Sequence, residues 1–154
     1  MSAPQPVPPV TAEPDRVWFR FMRLHQRMLT QMSARIRTLG LSIPQFDLLS
    51  TLTEQEGISQ SELAQRLYVT KGNVSGLVDR LVQAELVERR AIAGDRRSYA
   101  MHLTPEGRRL AEAGIAAQRD FVASTLGKLQ REDLAELDRL VVLWRELARA
   151  IDIE

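Results

Sequence analysis

Lys71, Gly72, Asn73, Ser75, Gly76 and Arg80 share the polar side of one short amphipathic stretch, and Asp95, Arg96 and Arg97 form a second polar cluster downstream. No nucleophile in this set stands beside a base. What the residues share is the capacity to recognise an anionic, hydrogen-bonding surface. Asn73 suits an adenine edge, and Lys71 and Arg80 suit guanine edges or phosphates. Each glycine inside a helix is about 1 kcal/mol less favourable than alanine. This stretch carries two on its exposed side, which close approach of backbone to a large surface would account for. Upstream, Ser59, Gln60 and Ser61 stand at a helix start, where free N–H groups suit a phosphate. An arginine on a narrow ribbon, as at 95–97, suits a minor groove, where the negative potential is deepest.

Other chemistries find little to work with. The chain has no cysteine, which removes disulfides, thiolate metal sites and thiol redox sensing. His25 and His102 are the only histidines, too few and too distant for a metal site or an obvious general base. No Ser/His/Asp order, glycine-rich phosphate loop or carboxylate cluster appears, so we expect no catalytic residues, no metal, no cofactor and no enzyme activity. No run approaches the roughly 18 apolar residues of a membrane span, and the N-terminus has no signal pattern, so the expected location is the cytoplasm. The net charge is only +1. Residues 59–104 nevertheless carry seven cationic against five acidic side chains, and Arg89, Arg90, Arg96 and Arg97 fall within nine positions. Local clustering is therefore the electrostatic signal.

Two short helices and a ribbon must position these groups, and the sequence carries start and stop signals for each. Residues 1–14 hold five prolines and no apolar period, which predicts a disordered tail. From Asp15, Trp18, Met22, His25, Leu29, Met32, Ile36 and Leu39 alternate by fours and threes, with Val17, Phe21, Leu24 and Met28 widening the same face. This predicts a long helix with a broad buried side, stopped at Gly40. Ser42 and Gln45 form a capping box for a second helix with Phe46, Leu48, Leu49 and Leu52 inward. Ser59 and Glu62 form another, with Ile58 and Leu63 at the staple positions. Thr70 caps a fourth helix, about 71–84, whose inward stripe is Val74, Leu77, Val78 and Leu81.

Leu86–Arg90 and Ser98–Leu103 then read as a β-hairpin around a polar tip, Ala93–Arg97. Thr104-Pro105 opens a fifth helix, broken at Gly127. A last helix from about Arg131 carries the seam Leu134, Leu137, Val141, Trp144, Ala148 and Ile151, which we read as a subunit interface. The expected fold class is mainly α with a small β-hairpin (α+β): a winged helix-turn-helix inserted in a helical dimerisation frame. Residues 42–104 form the lobe, and 15–41 with 105–154 form the frame.

These segments resemble the MarR family of bacterial transcriptional regulators. The matching pieces are Leu41-Ser42-Ile43-Pro44-Gln45-Phe46, Ser61-Glu62-Leu63-Ala64, and Val74-Ser75-Gly76-Leu77-Val78-Asp79-Arg80-Leu81. The most distinctive is Asp95-Arg96-Arg97 followed by Leu103-Thr104-Pro105-Glu106-Gly107. The resemblance spans about residues 15–151. It implies a homodimer, built by the first and last two helices, on a pseudo-palindromic operator in double-stranded DNA. It implies Arg97 as the minor-groove arginine, Asp95 as its brace and the fourth helix as the major-groove reader. Ser59, Gln60, Ser61, Thr70, Lys71, Gly72, Asn73, Ser75, Gly76, Arg80, Asp95, Arg96 and Arg97 are the expected DNA contacts. Such proteins commonly repress, and a small aromatic or phenolic ligand often relieves them. By the same resemblance, Trp18, Arg23, His25 and Phe46 are the first candidates for an effector pocket.

Plainer readings stand beside these. Arg89 and Arg90 alone read as solvated surface, Asp79 and Arg80 as a surface pair, and Arg96 competes to be the partner of Asp95. His25 reads more readily as a partly buried core histidine than as a ligand contact. Trp18, Met22 and Met32 read more readily as dimer core than as an effector box. The alternative function is a ligand-independent winged helix acting as architectural DNA binder or protein-interaction module.

Overall fold

Side-chain caps set the helix boundaries on which the lobe depends. The Ser42 hydroxyl accepts the Gln45 N–H at 3.3 Å, and the Gln45 amide oxygen accepts the Ser42 N–H at 2.9 Å. Helix α2 (Ile43–Glu54) therefore opens on the expected reciprocal box. The Thr104 hydroxyl accepts the Gly107 N–H at 3.0 Å and starts α5 (Pro105–Ser124), with Pro105 in the first turn, where its missing N–H leaves nothing unpaired. Between them lie β1 (Ile58–Ser59), α3 (Gln60–Leu67), α4 (Lys71–Gln83), β2 (Val87–Ile92) and β3 (Asp95–Leu103). Helix α1 (Pro14–Arg37) precedes this lobe, and a single 3-10 turn (Leu126–Lys128) leads from α5 into α6 (Arg131–Arg149).

The computed structural model describes residues 12–67 and 71–151. Thr70, expected as a cap and DNA contact, and residues 1–11 of the expected tail lie outside the described residues, as do the side chains of Lys71 and Arg96. Pro14, expected in that tail, instead opens α1, a position its fixed φ favours.

The class is mainly α with a small antiparallel sheet, but the sheet has three strands in the order β1-β3-β2. The expected hairpin is joined by β1, which pairs Ile58 with Met101 and Ser59 with Ala100. In sequence, Ile58 looks only like a staple for α3. Its backbone pairing reaches across more than forty residues, and local pattern does not report it. The hairpin is also longer than expected. The strands run to Ile92 and from Asp95, so the tip shrinks to Ala93-Gly94, with Gly94 at φ +85°, a conformation that L side chains rarely adopt. Asp95, Arg96 and Arg97 belong to strand β3 rather than to a loop, next to an irregularity at Ala91/Ile92.

One core ties the lobe together. Leu48, Leu49 and Leu52 of α2, Leu63 of α3, Val74, Val78 and Leu81 of α4, and Val87 and Met101 of the sheet are all buried, with Ile36 from the end of α1. Gly107 explains how closely α5 approaches: a Cβ there would stand 1.9 Å from the Leu86 carbonyl oxygen. The broad apolar face of α1 divides in two. Met32 and Ile36 join the core, whereas Val17, Trp18, Phe21, Met22, Leu24 and Leu29 stay exposed in the single chain. Along α6 no described residue is buried. Trp144 packs edge-on against Phe21 and Trp18, at centroid distances of 4.8 and 6.2 Å, and joins the two exposed halves.

Candidate nucleic-acid interface

Helix α4 turns Val74, Val78 and Leu81 inward, so its 3.6-residue period places Gly72, Gly76, Asp79 and Gln83 along the opposite stripe, with Asn73 and Arg80 beside it. All six are exposed and Ser75 is half-buried. A Cβ at Gly72 or Gly76 would meet no atom within 4 Å. Neither glycine is therefore required by packing inside the chain, and neither has a positive φ. Asn73 is engaged by a contact within the chain. Arg80 has no ion pair among the described residues. The expected surface pair of Asp79 with Arg80 is not formed: Asp79 pairs instead with Arg89 of β2.

The start of α3 faces the ribbon. Ser59, Gln60 and Ser61 line one polar concavity of about 240 Å³ together with Arg97, Ser98 and Tyr99 of β3. The Ser59 hydroxyl accepts the Glu62 N–H at 3.2 Å, a cap that still leaves its own O–H as a donor. Two separate expectations, a phosphate-ready helix start and an arginine on the ribbon, thus meet in one depression.

Asp95 braces the ribbon, though by a different bond from the one expected. Its carboxylate accepts the backbone N–H of Arg97 at 2.9 Å. That bond, with further ones from the hydroxyl and N–H of Ser98, holds the Asp95 carboxyl below its ordinary value. The brace therefore fixes the backbone that carries Arg97, rather than pairing with an arginine side chain among those described.

Sequence reasoning misses the bracing role of two side chains, Arg89 and Glu56. Sequence places Arg89 with Arg90 as solvated surface. Arg90 fits that description, pairing along its own strand with Glu88 at 3.2 Å. Arg89 does not: strand alternation puts it on the inward side with Val87, its side chain is only 26% exposed, and its Nε donates to Gln60 Oε1 at 3.2 Å. The period-two pattern of β2 is the signal that could have found it. Gln60 is thereby engaged within the lobe. Glu56 is the second. Its carboxylate accepts the Leu103 N–H at 2.8 Å and pairs with Arg108 of α5 at 3.1 Å, fixing the foot of the ribbon to the frame.

The four residues expected in an effector pocket do not converge. Trp18 lines an open cleft of about 480 Å³ with Pro14, Asp15, Val17 and Trp144. Arg23 borders a separate one with Gln26, Arg27, Thr30 and Gln31. Phe46 is a core residue, 2% exposed, set against Gly114, where a Cβ would come within 2.5 Å of its ring. His25, expected in the core, is exposed on the outer half of α1 and stacks on Phe21. Among the described residues no His/Asp/Glu cluster could hold a metal ion, and no helix is long and apolar enough to cross a membrane.

Comparison with known proteins agrees with this geometry. Residues 41–99 match the MarR family profile. The HTH-type transcriptional repressor Rv2887 of Mycobacterium tuberculosis is 32% identical over 111 residues, covering 72% of this chain and 80% of the relative. The crystal structure of AbsC, a MarR family transcriptional regulator from Streptomyces coelicolor, superposes with a TM-score of 0.79 at 25% identity, covering 88% of this chain and 94% of AbsC. The fold is shared too by S. aureus MepR in a crystal structure of its DNA complex, with a TM-score of 0.77, 21% identity and coverage of 84% and 96%. Rv2887 and AbsC are named as transcriptional regulators, not as enzymes. The winged helix between two helical arms, its arginine-bearing ribbon and these likenesses identify the chain as a member of the MarR family of transcriptional regulators.

Proposed function

We propose that the chain acts as a homodimer that binds a pseudo-palindromic operator in double-stranded DNA and represses transcription. Helix α4 enters the major groove with Lys71, Gly72, Asn73, Ser75, Gly76 and Arg80, and β3 delivers Arg97 to the adjacent minor groove, with Ser59, Gln60, Ser61 and Thr70 along the phosphates. The observation that carries this reading is the shared depression of Arg97 with the start of α3: it puts the ribbon arginine and the helix-turn-helix at one surface. The glycines of α4, with open space where a Cβ would stand, favour close approach of a groove. MepR, the relative with a DNA complex, lends the same reading support, as does the repressor name of Rv2887.

Residues 42–104 form the DNA-binding lobe in this proposal, and 15–41 with 105–154 the dimerisation frame. The exposed apolar seam Leu134, Leu137, Val141, Trp144, Ala148 and Ile151, with the exposed half of α1, is the surface the second copy covers. Two copies set two α4 helices about 34 Å apart, one helical turn of DNA. A small aromatic effector would enter the frame beside Trp18 and Trp144, in the cleft that the second copy closes over. By favouring one spacing of the lobes it would shift the population away from the operator-binding form. The test is Arg97→Ala in gel shifts at fixed salt, with sedimentation checking the dimer. Operator affinity should drop at least tenfold while the dimer persists; unchanged affinity would overturn the assignment.

A further inference from the structure

Wing and helix must hold a fixed mutual position if one is to read a minor groove while the other reads a major groove. Arg89 ties three elements together through one side chain: β2, on which it stands, Gln60 at the start of α3, and Asp79 in the middle of α4. Its position follows from the strand. Arg89 lies opposite Met101 in the register, and Met101 is buried and also pairs with Ile58. The arginine thus leaves the sheet on the core side and emerges at the flank of α4. There it meets Asp79, which shares the exposed stripe of Gly72, Gly76 and Gln83. Two of its donors are committed inside the lobe.

We propose that the Arg89–Asp79 pair is a clasp that positions the wing against α4 and so sets sequence discrimination, without Arg89 itself neutralising a phosphate. This rests on the DNA-binding reading above. A carboxylate on the side of α4 that faces DNA repels phosphates, so Asp79 lowers affinity for any duplex. Holding Arg89 is what that charge does. Base contacts carry sequence information whereas phosphate contacts carry none. Loosening the clasp therefore blurs base reading while leaving general DNA affinity intact.

The experiment uses the full chain and two probes: a duplex enriched by the wild-type protein from a random-sequence pool, and a scrambled duplex of equal length. Asp79→Asn removes one negative charge. The clasp predicts that affinity for the enriched duplex falls about fivefold while affinity for the scrambled one holds or rises. Arg89→Gln should lower the enriched-to-scrambled ratio to the same degree, and Asp79→Asn with Arg89→Gln together should lose no more than either alone. The slope of log Kd against log salt should be unchanged in Arg89→Gln, because an arginine that neutralised a phosphate would take about 0.9 from that slope on removal. Thermal melts of each variant confirm a folded chain. Tighter binding of Asp79→Asn to the enriched duplex, additive losses, or a slope reduced by about one each overturn the clasp. A wild-type protein that enriches no duplex overturns the DNA-binding reading and the clasp with it, whereas enrichment with unchanged ratios overturns the clasp alone.

Discussion

The substitution Gly76→Ala adds one methyl group to the exposed side of α4, at a point where a Cβ has no neighbouring atom within 4 Å. The backbone there is helical and its φ is not positive, so alanine fits without strain. Alanine is favoured over glycine in a helix interior by about 1 kcal/mol, which in a chain of this size raises Tm by roughly 2–4 °C. Binding should move the other way. Seated in a major groove, the methyl lies between the helix backbone and the groove floor and pushes the reading side chains outward. Weakening even one bidentate base contact, worth about 1–3 kcal/mol, lowers affinity about tenfold. Thermal melts and gel shifts at one salt concentration, on the duplex the wild type enriches, measure both quantities. A higher Tm with unchanged affinity would show that this side of α4 does not meet DNA. A lower Tm would show that the fold itself requires the glycine, against the open space around it. Gly72→Ala, equally open but in the first turn of α4, should weaken binding likewise with a smaller rise in Tm.

Gly107→Ala is the opposite control. Its Cβ would stand 1.9 Å from a backbone oxygen, so overpacking should destabilise the chain by about 2 kcal/mol or more; a melt unchanged from wild type would contradict the close approach of α5. Val141→Asp tests the seam: Val141 is 52% exposed in the single chain, so the monomer should fold normally, but a carboxylate buried without a partner opposes association strongly. Sedimentation at micromolar concentration should show monomers, and a persisting dimer would place the interface elsewhere. The Asp95 carboxyl, held down first by the Arg97 N–H, should titrate in carboxyl carbon NMR with a midpoint below its ordinary 3.8. Because the native value is depressed, the brace is complete above the ordinary value and is lost only as pH falls through the native one; a midpoint at or above 3.8 would mean that the brace does not form in solution.

Caps and periods are local, and where they govern the structure the sequence is legible. Ser42 with Gln45 and Thr104 with Pro105 start helices where their side chains say they should. The inward stripe of α4 is Val74, Val78 and Leu81, with Leu77 partly buried. What escapes depends on partners distant in the chain. The pairing of Ile58 with Met101, the reach of Glu56 to Leu103 and Arg108, and the meeting of Arg89 with Asp79 all join segments whose proximity only the fold creates. The long face of α1 misleads for a related reason. An apolar period reports that a side avoids water, not whether its neighbour is its own chain. Met32 and Ile36 pack at home, while Trp18 and Met22 remain open. Phe46 illustrates the same limit in reverse, since an aromatic nominated for a pocket is filled against by Gly114.

Everything proposed for function requires α4 and the Arg97 ribbon to engage one duplex together, twice, through a twofold pair. Hydroxyl-radical footprinting on the enriched duplex measures that directly. Two symmetric half-sites about one helical turn apart are expected, each with a protected minor-groove patch that disappears in Arg97→Ala while the central protection survives. A single unsymmetric footprint, or minor-groove protection indifferent to Arg97, would contradict it.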